Sequence, residues 1–200
     1  MSEYTDRQLQ IIDAAIELIS KGGIQELTMK NLSKRIGISE PAIYRHFENK
    51  AAILESIPNN FLIAKQTLMT EILDTQLFSI DKITKFIEMH FTGFSQKPAL
   101  ASVIFSEEIF QNDQHIAGII SKIMKKFHLT LTKIVSDGQK NKEIRQDVPP
   151  EHFVTIIMGS LRLIIKKWHF SKHSFDLQEQ GRSFCESLRK ILEPAKNIDF

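Results

Sequence analysis

The sequence predicts an all-α fold of about nine helices. Three observations point to it. Apolar residues recur at three- and four-residue spacing along most of the 200 residues. Gly (8) and Pro (6) are scarce, as expected of a chain that is mostly helix. No segment alternates apolar and polar residues between two turn signals, as a half-buried strand would.

The elements follow in order. Thr5 with Gln8 forms a capping box, and Leu9, Ile12, Ile16 and Ile19 then share one helical face. Gly22 and Gly23 stop that helix. A short second helix begins after Thr28, carries Leu32 and Ile36, and ends at Gly37. Ser39 caps a third, with Pro41 in its first turn, where a missing N–H costs nothing. Asn49 caps a fourth, running from Lys50 to about Leu73. Further helices are expected near 80–94, 98–110, 115–140, 151–170 and 176–193. Pro98 and the Pro149-Pro150 pair mark starts, and Pro194 a stop. The expected organisation is a three-helix head over 1–48 and a larger helical body over 49–200.

Hydrophobic residues make up 42% and charged residues 25%, so a core is available without disulfides or metals. Cys185 is the single cysteine, which excludes an intrachain disulfide and suits a reducing compartment. Residues 1–7 are polar, unlike a secretory signal. The most apolar run, 156–165, is interrupted by Arg162 and closed by Lys166 and Lys167, too short and too charged to span a bilayer. The expected location is the cytoplasm, without membrane contact.

The net charge of +2 is less informative than its distribution. Residues 1–27 hold Arg7 and Lys21 against Glu3, Asp6, Asp13, Glu17 and Glu26. Residues 28–50 reverse the balance, with Lys30, Lys34, Arg35, Arg45 and Lys50 against Glu40 and Glu48. Positive charge collected in one short segment is what phosphate binding needs, although solvated surface also looks like this.

That basic segment contains a helix-turn-helix pattern over 28–46. Two helices cross tightly only if the chain turns within about three residues, and Gly37 supplies the left-handed backbone for such a turn. Ser33 is small, so the second helix can lie close. Leu32, Ile36, Ile38 and Ile43 are apolar where the head must pack. Ser39, Glu40, Ala42, Tyr44 and Arg45 are left for the outside of the third helix, whose short N-terminal side chains suit a major groove.

The run from Gly37 to Lys50, GISEPAIYRHFENK, followed by Ile53 and Leu54, resembles the signature of the tetracycline-repressor (TetR) family. Thr28, Leu32 and Ile36 fit the same pattern, and the resemblance covers about residues 9–54. It implies a transcriptional regulator, by family default a repressor, that binds double-stranded DNA at a pseudo-palindromic operator as a homodimer. It also implies roles for individual residues. Thr28 and Lys50 would meet phosphate, with Lys50 beside the positive end of its helix. Ser39, Glu40, Pro41, Ala42 and Arg45 would face base edges or the groove wall. Tyr44 and His46 would meet the backbone, Phe47 would plug the head's core, and Lys30 joins this DNA-contacting set. Simpler roles stand beside these. Thr28, Ser39 and Asn49 serve as caps, Glu40 suits the helix dipole, Tyr44 suits packing, and His46 suits orienting the turn. Arg45 fits a guanine or a phosphate equally.

The body holds nearly all of the 14 Phe. Phe86, Phe91, Phe94, Phe105, Phe110 and Phe127 cluster in its central helices, either as plain core or around an apolar cavity. The candidate effector site comprises Phe86, His90, Phe94, Phe105, Phe127 and Arg162. His90 and His115 would be polar handles, and Arg162 would otherwise pair with Glu107 or Glu108. Helix 151–170 is apolar on two faces, one carrying Phe153, Ile157, Leu161, Ile164 and Trp168, the other Val154, Met158 and Ile165. Helix 176–193 spaces Leu177, Gly181, Phe184, Leu188 and Ile191 as a short seam. The resemblance places the dimer interface on these two helices, as a four-helix bundle. The expected interface is Phe153, Ile157, Leu161, Trp168, Leu177, Gly181, Phe184, Leu188 and Ile191.

Enzyme signatures are missing from the sequence. It has no Gly-x-Ser-x-Gly elbow, no phosphate-binding glycine loop, no His-Glu-x-x-His and no Glu-x-x-His. His169 and His173 stand four apart but lack a third ligand at useful spacing, so neither metal nor cofactor is expected. The reading is a regulator whose operator affinity responds to a small, largely apolar effector. Its rivals are a constitutive DNA-binding protein and a helical protein-interaction module.

Overall fold

The computed structural model describes residues 4–105 and 114–194. Among these, the regular elements are α1 (Asp6–Gly22), a 3-10 turn (Ile24–Glu26), α2 (Met29–Ile36), α3 (Glu40–Tyr44), α4 (Lys50–Asp74), α5 (Ser79–Gln96), α6 (Ala99–Ile104), α7 (Gln114–Lys140), α8 (Pro150–Phe170) and α9 (Leu177–Leu192). The fold is all-α, as the spacing of apolar residues predicts. The expected helix near 98–110 is described only as far as Phe105, so Glu107, Glu108 and Phe110 lie outside the described residues.

The chain divides into two compact units, Met1–Thr67 with Lys97–Ile123, and Leu68–Gln96 with Met124–Phe200. Residues 1–48 fall inside the first.

In the first unit α1 starts at the predicted capping box. The Thr5 hydroxyl accepts from the Gln8 amide at 3.3 Å, and Gln8 Oε1 accepts from the Thr5 amide at 2.9 Å. The helix ends at Gly23, whose φ of +84° few other residues adopt. Ile11, Ile12, Ala15, Ile16 and Ile19 form its buried face. The short helix α6 packs on α1, and Lys97 just before it pairs with Asp13 at 2.8 Å. Pro58 stands inside α4, where it offers no N–H to the preceding turn. In that turn the Ser56 hydroxyl donates to the Ile53 carbonyl at 2.6 Å.

The second unit is built around α5, with α9 laid against it. Gly181 makes that approach possible, because a Cβ there would run into the ring of Phe91. Arg189 of α9 pairs with Asp81 of α5 at 2.5 Å. Gly138 of α7 likewise lies close to Ser79, whose amide donates to Glu143 Oε2 at 2.6 Å. Trp168 Nε1 donates to the Phe175 carbonyl at 3.0 Å and fixes the turn between α8 and α9. Asp176 then caps α9, accepting from the Gln178 and Glu179 amides, which hold its carboxyl below the usual range. No described helix is long and apolar enough to cross a membrane.

Candidate nucleic-acid interface

The turn between α2 and α3 is the feature on which this site depends. Gly37 has φ +77° and ψ +33°, the left-handed conformation that glycine adopts without steric cost. Its amide and that of Ile38 donate to the Ser33 carbonyl, at 2.9 and 3.1 Å. The end of α2 is thereby closed and the chain redirected into α3. Leu32, Ile43 and Phe47 are buried and anchor the underside of the pair.

The opposite edge of α3 is open. Ser39, Glu40, Pro41, Tyr44 and Arg45 are exposed, while Ala42 and His46 are half-buried. Tyr44 is 51% exposed, so packing does not account for it. Thr28 and Lys30 are also exposed, at the start of α2.

Two of the three expected caps form. Thr28 Oγ1 accepts from the Asn31 amide at 3.1 Å, and Asn49 Oδ1 from the Ala52 amide at 2.9 Å. Ser39 occupies the N-cap position of α3 but makes no side-chain cap. The reason is local. Pro41 has no N–H to give, and the Ala42 amide is taken by the Ser39 carbonyl at 3.0 Å. The Ser39 hydroxyl is therefore not committed to the helix cap.

Arg35 is turned to the other side of the head, where it pairs with Glu17 of α1. Lys50 is half-buried, and its ammonium donates to the Ile24 carbonyl at 3.2 Å. That bond pins the start of α4 to the 3-10 turn. Residues 11–57 match the family model described as bacterial regulatory proteins, tetR family, and residues 62–190 match YsiA-like protein, C-terminal region. The chain belongs to the tetR family of bacterial regulators.

As a tetR-family protein it is a DNA-binding transcriptional regulator, with α2 and α3 as its helix-turn-helix. Its relatives include the fatty acid metabolism regulator protein of Bacillus subtilis, 24% identical, with 94% of this chain and 96% of that protein covered. Solved structures with the same fold include FadR from Bacillus subtilis in complex with stearoyl-CoA. There the TM-score is 0.80 at 24% identity, covering 92% of this chain and 99% of the other. AibR in complex with isovaleryl coenzyme A and operator DNA gives a TM-score of 0.75 at 16% identity, covering 91% and 97%.

The body residues singled out from the sequence are placed unevenly. Phe86, His90 and Phe127 come together in the second unit. The His90 ring lies 4.4 Å from that of Phe86 and 5.1 Å from that of Phe127, and the two Phe rings are 5.8 Å apart. His90 is buried, and its Nδ1–H donates to the Phe86 carbonyl at 2.8 Å, which fixes the tautomer. Phe94 is buried further along α5. Phe105 belongs to the first unit, half-buried at the end of α6, and Arg162 is exposed on α8.

The expected dimer stripe is mostly used within the chain. Phe153, Ile157, Leu161, Trp168, Leu177, Gly181 and Leu188 are buried within the chain, Phe184 is half-buried, and Ile191 is exposed. The apolar face that α8 leaves open carries Ile156, Leu163 and Phe170 instead. Gly159 lies on this side, with open space where its Cβ would be. The rings of His169 and His173 are 5.8 Å apart, and burial followed by the charge of His173 lowers the His169 pKa. The described residues hold no group of three or more metal-ligating side chains.

Proposed function

We propose that this chain is a homodimeric repressor released from a pseudo-palindromic operator by a fatty acyl-coenzyme A thioester. DNA contact would come from Thr28, Lys30, Ser39, Glu40, Pro41, Ala42, Tyr44, Arg45, His46 and Lys50. The dimer would place two copies of α3 about 35 Å apart, in successive major grooves. The observation that carries the DNA half is the open edge of α3 behind Gly37.

The effector half rests on the relatives. One that spans nearly the whole chain is a regulator of fatty acid metabolism, and two neighbours in fold were solved with coenzyme A thioesters. The aromatic cluster of Phe86, His90 and Phe127 in the second unit, with Phe94 and Arg162 as further candidates there, suits an acyl chain and its carbonyl better than a polar ligand. The protein would work in the cytoplasm as a binding protein and not as an enzyme. Effector and operator binding must be reciprocally coupled.

The test is fluorescence anisotropy on a labelled duplex selected by the protein from a random library. Acyl-coenzyme A thioesters of increasing chain length should release the duplex, and free coenzyme A should not. If no chain length changes operator affinity, the effector reading fails while the DNA-binding one stands.

A further inference from the structure

We infer that Gln8 of α1 is a positioning residue for the recognition helix, setting how α3 meets DNA and hence how well the protein tells one sequence from another. The inference rests on α3 being the element that reads bases.

The helix α3 has five residues. So short a helix has little stability of its own, and its direction comes from what holds it. Ile43 and Phe47 anchor it from beneath. Apolar contacts fix depth better than rotation, because they lack direction. A hydrogen bond does have direction.

Gln8 supplies one. Its Nε2 donates to the His46 carbonyl at 3.2 Å, just past the end of α3. The same amide group is held at its other end. Gln8 Oε1 accepts from the Thr5 amide at 2.9 Å and from the Thr5 hydroxyl at 3.1 Å. Three hydrogen bonds thus lock one side-chain amide between the N-cap of α1 and the His46 carbonyl at the end of the recognition segment. Tyr44, Arg45 and His46 lie directly before the held carbonyl, so a small rotation there moves the residues expected to touch DNA.

The chemistry needs an amide. Glutamate at position 8 would keep the capping box but lose the donor, since a carboxylate only accepts. Methionine would lose both. Alanine at Thr5 would lose the box but keep the donor to His46.

The experiment uses the full chain and a duplex selected from a random library, against a scrambled duplex of the same length. For Gln8→Met, affinity for the selected duplex should fall about tenfold, roughly threefold from each of two heads, as the loss of the one neutral hydrogen bond to the recognition segment allows. Affinity for the scrambled duplex should hold. Thr5→Ala should lower the melting temperature and leave the ratio of the two affinities intact. Gln8→Glu decides the matter if Gln8→Met does not fold, because its added charge weakens both duplexes alike and leaves the ratio to report the lost donor. An unchanged ratio in both Gln8 variants overturns the inference, as does an equal loss on both duplexes. Arg45→Ala is the control for the underlying reading. If it leaves the selected duplex bound as before, the assignment of α3 itself is at fault.

Discussion

Gly181 on α9 lies against the ring of Phe91 on α5 so closely that a Cβ at 181 would overlap it. Phe91 is itself buried and has nowhere to retreat. Replacing a helical glycine with alanine normally gains about 1 kcal/mol. Here overpacking should outweigh that gain, for a net loss of about 1–2 kcal/mol. Urea unfolding of Gly181→Ala should show a lower midpoint with an unchanged slope. Adding Phe91→Leu should recover part of the loss, because the two positions share one space. A stabilised Gly181→Ala would mean the helices can part at no cost.

The same glycine shows where sequence pattern stops being informative. Leu177, Gly181, Phe184, Leu188 and Ile191 read as a seam between helices, and Leu177, Gly181 and Leu188 of them are buried. The pattern does not say whose helix fills it, and α5 of the same chain does. The two apolar faces of α8 raise the same difficulty, since periodicity counts faces without naming their partners. The head was far more legible, because its signals are local. A left-handed turn needs Gly37, and caps need Thr5, Thr28 and Asn49 within three residues of the amides they serve. Gln8 reaching His46 and α6 packing on α1 are contacts between distant parts of the chain, for which the sequence offers no local signal.

The exposed edge of α3 and the basic start of α2 make separable predictions. Arg45→Ala should cost about 1–3 kcal/mol at one selected base position if its guanidinium reads a guanine, and should relax preference there. Lys30→Ala should weaken selected and scrambled duplexes alike. It should also reduce the salt slope of binding by about 0.9 per lost phosphate contact. Titrations at several salt concentrations measure both effects. An Arg45→Ala variant that lowers only the slope would move that residue from base to backbone.

Two buried titratable groups should oppose each other at alkaline pH. Lys65 is only 7% exposed on α4, its ammonium 5.8 Å from the centre of the Phe61 ring, and burial pushes its pKa from 10.5 to about 8. The unfolded chain holds that proton more tightly, so this group adds stability as pH rises from about 8 to 10.5. Burial pushes the Cys185 thiol the other way, from 9.0 to about 11, with Glu88 adding to the effect. Its contribution is complete below 9.0 and is lost as pH climbs to about 11. Denaturant titrations of Lys65→Met and Cys185→Ala across pH 8–11 should therefore diverge from the parent with opposite slopes. Parallel curves would show that neither group is as enclosed as its surroundings imply.

The open face of α8 bears on how two copies meet. Leu163 is 67% exposed and Phe170 is 74% exposed, with Ile156 on the same side. Ile156, Gly159 and Leu163 share one uncovered side of the helix, and at its far end the Lys166 ammonium lies over the Phe170 ring, 5.8 Å from its centre. Exposed large apolar side chains in a row mark an interaction surface far more often than a solvated one. Because these side chains pack on little of their own unit, Leu163→Arg should fold normally, with a melting temperature near that of a parent diluted to monomer. Sedimentation at micromolar concentration should then find a 23.0 kDa species in place of the dimer. Operator affinity should collapse with it, since a single head reads only half of a palindrome and loses the gain from simultaneous engagement. The matching change at a buried position, Leu161→Arg, should instead unfold the chain. A Leu163→Arg protein that stays dimeric would move the interface off this face and return attention to α9, where Phe184 and Ile191 are the apolar residues still partly in view.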